Sequence, residues 1–76
     1  MPHIDIKYFP RDLTQQQKTD LAKAVETVII EHLGSKESSV SVALAEVHPD
    51  DWKRDVWDTQ IAPNLETLAK KPGYSM

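Results

Sequence analysis

Proline at position 2, directly after Met1, is the residue whose place in the chain has the clearest chemical consequence. Methionine aminopeptidases remove Met1 when the second residue is small, and proline qualifies. Pro2 would then carry a free secondary amine, a base that no ordinary side chain provides. A free α-amino group has a pKa near ~8, which burial or a nearby positive charge lowers. The alternative interpretation is that Pro2 only begins a strand, where its missing N–H is tolerated.

Metal and redox chemistry find little support among the other residues. The chain has no cysteine, which excludes disulfides and thiolate metal sites. His3 and Asp5 share one face of the predicted first strand, but two ligands without a third at a clear spacing are poor evidence for a metal. We therefore expect no metal site and no cofactor.

The residues after Pro2 alternate in character, and this alternation predicts a half-buried strand. Its apolar face contains Ile4, Ile6 and Tyr8, and its polar face contains His3, Asp5 and Lys7. Phe9-Pro10 ends the strand. A strand of this kind holds Pro2 at its first position, so the candidate base is attached to a sheet.

A long helix is expected next, over residues 15–33. Thr14 followed by Gln17 has the spacing of a capping box at the helix start. Gly34 is placed for the left-handed residue that commonly ends a helix. Apolar residues recur at helical spacing and predict one apolar stripe along the helix; they are Leu21, Val25, Val28, Ile29 and Leu33.

The segment SVSVALAEV predicts a second strand, buried on both faces along part of its length. Strand, helix and strand form a β-α-β unit, which joins parallel strands through a right-handed crossover. Beyond His48-Pro49, apolar residues continue at a roughly helical spacing, with Pro63 inside the pattern. We expect a short helical turn near residues 50–57, a break or kink, and a helix near residues 60–70.

The whole chain of 76 residues is expected to form one domain, residues 1–76. A chain this short buries little surface, and two strands leave open sheet edges. A homodimer whose two-stranded sheets pair would remedy both. The net charge of −3 with no basic cluster argues against a nucleic-acid partner, and no apolar run approaches the ~20 residues of a membrane span. A cytoplasmic location is the expectation.

The motifs above resemble the 4-oxalocrotonate tautomerase family over roughly residues 2–52. The resemblance rests on Pro2, the alternating strand, PRDLTQQQK leading into the helix, and SSVSVALAEV. The segments IAP and KKPGYSM extend it to an enterobacterial branch of the family. It implies an α/β (α+β) fold built on a β-α-β unit with a C-terminal helical segment, assembled as dimers or as trimers of dimers. It also implies that Pro2 is the base of a cofactor-independent enol–keto tautomerase.

The same resemblance implies substrate contacts at three further positions. Arg11 corresponds to an arginine that holds the substrate carboxylate, and Trp52 to an aromatic residue lining the pocket. Ser41 stands where a second family arginine is found, and this departure favours a monoacid with an apolar body, such as an enol of phenylpyruvate. Ser41, a backbone N–H and an ordered water remain alternatives for the donor to the enolate oxygen.

Two other interpretations stay open at the level of the sequence. Relatives with this fold act as dehalogenases, hydratases or decarboxylases with the same proline. A dimeric β-α-β module that binds a partner without chemistry would belong to another class altogether. The segment after residue 50 is longer than in shorter family members, and we expect it to cover surface that others use to form hexamers, which favours a dimer.

Overall fold

The computed structural model describes residues 1–76, and its elements follow the expected order of strand, helix and strand. Strand β1 is His3–Tyr8, helix α1 is Gln15–Leu33, and strand β2 is Ser41–Glu46, preceded by a 3₁₀ turn at Glu37–Ser39. The chain divides into two compact units, Met1–Glu46 and Val47–Met76. The small α+β fold is thus confirmed, whereas one domain over residues 1–76 stays a prediction.

Strands β1 and β2 form a two-stranded parallel sheet in which His3 is paired with Ser41 and Tyr8 with Glu46. Registered partners in a parallel pair project to the same side of the sheet, and successive residues alternate between sides. His3 and Ser41 therefore share one face, and Ile4 and Val42 share the other. The predicted β-α-β connection between parallel strands is confirmed.

Helix α1 begins and ends at the predicted residues because residues next to each end form its caps. The backbone N–H of Gln17 donates to Thr14 Oγ1 at 3.1 Å, and the backbone N–H of Thr14 donates to Gln17 Oε1 at 2.8 Å. At the other end Gly34 adopts a φ of 67° and donates its N–H to the carbonyl of Ile30. Glycine suits this left-handed position because it has no Cβ to clash there.

The apolar stripe predicted on α1 is only partly covered within one chain. Val25 and Ile29 are half-buried, but Leu21, Val28 and Leu33 are 36%, 51% and 64% exposed. No residue of the unit Met1–Glu46 is fully buried. Three of the five members of the stripe are thus left exposed within one chain, because a two-stranded sheet is too narrow to cover them.

A break or kink was expected near Pro63 in the C-terminal unit; helical turns continue from Pro49 to Thr67 without a break, and a kink stays a prediction. Helix α2, Pro49–Trp52, passes into a π-helix at Lys53–Ile61 and then into a 3₁₀ helix at Ala62–Thr67. Proline lacks an N–H, and in a regular α-helix its ring clashes with the carbonyl four residues earlier. The change of helix type accommodates Pro63 without a break.

Two side chains of this segment bond to backbone carbonyls four residues earlier. Thr59 Oγ1 donates to the carbonyl of Asp55 at 2.6 Å, and Asn64 Nδ2 donates to that of Gln60 at 2.9 Å. The helical segment ends at Thr67 rather than near residue 70, since the backbone turns extended at residue 68. None of the helices is both long and apolar enough to span a membrane.

Candidate active site

Pro2 lies immediately before β1 and is partly buried. Its carbonyl accepts the backbone N–H of Ser41 at 3.2 Å, a bond that extends the parallel ladder by one step beyond His3. Within Met1–Glu46, the structure therefore brings Pro2 and Ser41 together at the amino-terminal end of the sheet.

Ser41 makes a second contact at this end of the sheet. Its Oγ lies 2.6 Å from Nδ1 of His3, its partner across the two strands. Asp5, considered above as a possible second metal ligand beside His3, instead accepts from Lys7 Nζ at 2.6 Å. The His3–Ser41 contact was missed from the sequence because it depends on strand register, which residue spacing along one strand does not reveal.

Arg11 is not brought to Pro2 within the chain. It is exposed and follows the carboxyl end of β1, next to Asp12 in the left-handed region at a φ of 53°. A strand of six residues spans about 20 Å, and Pro2 precedes the opposite end of that strand. One β-α-β unit by itself therefore does not bring Pro2 and Arg11 into the same site.

Trp52 belongs to the C-terminal unit, where it is the last residue of α2. Its indole Nε1 donates to the hydroxyl of Tyr74 at 3.0 Å, and the Tyr74 ring lies 5.5 Å from that of Trp57, centre to centre. The contact with Tyr74 was also missed, because the two residues are 22 positions apart and no periodic pattern connects them. The C-terminal segment thus fixes the edge of the indole that carries its polar atom.

The helix that carries Trp52 starts at a cap predicted from His48-Pro49. His48 Nδ1 accepts the backbone N–H of Asp50 at 3.1 Å, and Pro49 occupies the first turn, where its missing N–H costs nothing. The π-helix begins directly after Trp52, and π-helical turns occur frequently at functional sites. His48 and Pro49 therefore fix the start of the helix that carries Trp52.

The shortest ion pair of the C-terminal unit joins two sequence neighbours. Arg54 Nε donates to Asp55 Oδ1 at 2.7 Å, and Arg54 Nη2 donates to Asp55 Oδ2 at 2.9 Å. This hydrogen-bonded pairing raises the pKa of Arg54 and lowers the pKa of Asp55. Both groups are at the surface, and each has its charge matched by the other, so this pair has the character of a surface ion pair rather than of a reactive centre.

Comparison with known proteins connects these positions to a family. The model of the family described as "Tautomerase enzyme" matches residues 2–56, which begins at Pro2 and includes Arg11, Ser41 and Trp52. The match therefore covers most of the chain and all four candidate site residues.

Curated relatives are similar over their full length. Proteins named Tautomerase PptA are 64% identical in Cronobacter sakazakii, 62% in Klebsiella pneumoniae strain 342 and 60% in Escherichia coli strain SMS-3-5, each over 100% of both chains. The crystal structure of DmpI from Helicobacter pylori is 31% identical, with a TM-score of 0.58 over 62% of this chain and 78% of that one. The resemblance noted in the sequence is confirmed: the chain belongs to the tautomerase family and is an isomerase.

Proposed function

We propose that this tautomerase interconverts the enol and keto forms of a small monocarboxylic acid with an apolar body, phenylpyruvate-like in class, and that the amine of Pro2 is its base. The observation that supports this most directly is the position of Pro2. It is the first residue of the family match and is held at the start of the sheet by Ser41. Removal of Met1 is part of the proposal, since an amide nitrogen has no usable basicity.

The chemistry requires only the movement of one proton. The neutral amine of Pro2 takes the proton from the enol hydroxyl and becomes a secondary ammonium. The electron pair of the O–H bond forms the carbonyl, and the former double bond provides the electrons for a new C–H bond to the proton returned by the ammonium. Atoms and charge balance with no cofactor, and a base near neutrality in pKa is suited to both transfers.

Arg11 is the proposed anchor for the substrate carboxylate, since its planar fork binds both carboxylate oxygens. It stands beyond the far end of β1 from the base in its own chain. A twofold axis perpendicular to the sheet makes the paired edge strands antiparallel, so the start of one strand approaches the end of its partner. We therefore assign the carboxylate anchor of each site to Arg11 of the partner subunit.

A homodimer built on the β-α-β units also agrees with the packing of the single chain. The sheet has only two strands, and so each strand has one edge without a neighbour in the chain. The N-terminal unit has no fully buried residue and exposes Val28 and Leu33. Pairing of two sheets would satisfy the open edges and cover apolar surface. One domain per chain, a dimer rather than a hexamer, no nucleic-acid partner and a cytoplasmic location stay predictions.

Trp52 is proposed to form a wall of the pocket against the apolar body of the substrate. Its Nε1 donates to the Tyr74 hydroxyl, and a tryptophan ring is a large apolar surface of the kind that binds aromatic or aliphatic groups. A preference for aromatic enol acids over dicarboxylates is the expected consequence. Ser41 as a substrate contact stays a prediction.

The test is a tautomerase assay on the enol of phenylpyruvate with protein whose N-terminus has been verified by mass spectrometry. Pro2→Ala keeps a free, primary amine in a looser orientation, so activity is expected to fall without vanishing. A panel of halogenated, unsaturated and β-keto acids separates tautomerisation from dehalogenation, hydration and decarboxylation. Turnover of none of these by protein with a free Pro2 amine would instead indicate a binding module and refute the proposal.

A further inference from the structure

The amino-terminal residue of a strand is difficult to hold in one direction, and Pro2 is an extreme case. Chain ends fray unless they are tied down, and the nitrogen of Pro2 must keep its lone pair available for the proton that it transfers. Its carbonyl connects it to the strand ladder by accepting the backbone N–H of Ser41 at 3.2 Å. Anything that fixes Ser41 against β1 thus also fixes the start of the strand.

The side chain of Ser41 provides a second connection to the same end of β1. Its Oγ lies 2.6 Å from His3 Nδ1, so residues 2 and 3 are tied to Ser41 through a backbone bond and a side-chain bond, respectively. The charged neighbours on this face of β1, Asp5 and Lys7, are bonded to each other. His3 therefore has Ser41 as its hydrogen-bond partner on this face and is not drawn toward the carboxylate.

We propose that His3 and Ser41 form a positioning pair that fixes the direction of the Pro2 nitrogen toward the substrate. This inference rests on the proposed function, because it requires Pro2 to be the base. In this proposal His3 makes no contact with the reacting atoms and positions Pro2 through Ser41. The hydroxyl of Ser41 both donates and accepts, so the bond persists whether Nδ1 carries a proton or not. The pair consequently positions Pro2 across the pH range in which the amine is active.

Loss of the pair should reduce kcat far more than it raises KM. Misplacement of a reacting group by about 1 Å can cost about 10²-fold in rate, and fraying of one residue is a displacement of that order or less. We expect His3→Ala and Ser41→Ala each to lower kcat by about 10- to 100-fold. KM, the circular dichroism spectrum and the thermal midpoint should remain close to those of the parent, since His3 and Ser41 are both exposed in the chain.

A double-mutant cycle distinguishes positioning from two independent effects. Because both side chains act through one hydrogen bond, the double variant should be no slower than either single variant. His3→Asn places an amide near the position of Nδ1, so it should recover most of kcat when Ser41 is present and none of it in Ser41→Ala. His32→Gln, which removes an exposed imidazole from the last turn of α1, is the matched control and should retain parental kcat.

All variants are assayed after their free Pro2 amine is verified, beside a parent chain whose Pro2 is blocked by one extra residue. Parental kcat in His3→Ala, or additive losses in the double variant, would overturn the positioning pair. A much greater loss in Ser41→Ala than in His3→Ala would show that Ser41 does not act mainly through its bond to His3 and would overturn it too. Full activity of the blocked chain would refute the proposed function itself, whereas a dead blocked chain with unaffected His3 variants would refute only this inference.

Discussion

Complementation between two impaired chains is the prediction that follows most directly from the separation of Pro2 and Arg11. One chain carries a blocked Pro2 and an intact Arg11, and the other carries a free Pro2 and Arg11→Ala. In a mixed dimer with shared sites, one site receives the free amine of the second chain and the guanidinium of the first. The other site lacks both groups.

The expected yield follows from the geometry and from counting subunits. About 20 Å of strand separates Pro2 from the carboxyl end of β1, which Arg11 follows. The Arg11 of each chain should therefore contribute to the site that contains the partner's Pro2. Random assortment of equal amounts makes about half of the dimers mixed, and one of two sites in each is intact, so activity should recover to about a quarter of that of the parent. A homodimer of either variant alone should show only the residual activity that its own substitution leaves.

The assay refolds or co-expresses the two chains with different affinity tags, isolates the mixed dimer and measures turnover of the enol acid. Arg54→Ala, which removes an exposed arginine engaged with Asp55, replaces Arg11→Ala in the control mixture. That control chain should be active by itself. A purified mixed dimer no more active than expected from the Arg11→Ala chain alone would show that base and anchor belong to the same subunit.

Three further predictions concern single positions. Arg11→Ala should lower kcat/KM for enol carboxylates by at least about tenfold, because a charge-assisted bidentate contact is lost. The free energy of unfolding should change by less than about 0.5 kcal/mol. An unchanged kcat/KM would exclude Arg11 as the anchor. Thr14→Ala removes the N-cap of α1 and should lower the free energy of unfolding by about 1 kcal/mol in urea titrations, with Thr14→Ser as the conservative control. Because Arg54 lowers the pKa of Asp55, this pair stabilises the fold above the ordinary carboxyl pKa and loses that effect as the pH falls through the lowered value. Asp55→Asn should therefore narrow the difference in stability between pH 7 and acid, and an unchanged acid profile would show that the pair does not contribute.

The parts of the fold that were predictable from the sequence are those set by neighbouring residues. The ends of α1 depend on Thr14, Gln17 and Gly34, each acting within one turn, and all three behave as predicted. The parallel pairing of β1 with β2 follows from the helix that connects them, because strand–helix–strand connections nearly always join parallel strands by a right-handed crossover.

The parts that were not predictable depend on register or on distant contacts. The apolar spacing around Val56 and Trp57 predicts helical turns but does not distinguish a π-helix from an α-helix, so the π-helix was not predicted. The His3–Ser41 bond requires the register of two strands, and the Trp52–Tyr74 bond requires the path of the C-terminal segment. For the site, the sequence indicated Pro2 and Arg11 as candidates but not that they stand at opposite ends of one strand.

The most direct test of the account is the activity of a chain in which one non-removable residue precedes Pro2. The nitrogen of Pro2 is then a tertiary amide without basicity, while the carbonyl that accepts from Ser41 is unchanged. The account predicts turnover of the phenylpyruvate enol at the uncatalysed background, with an unaltered circular dichroism spectrum and dimer, and full turnover by protein with a free Pro2. Full activity of the blocked chain would contradict it, because Pro2 would then only begin a strand.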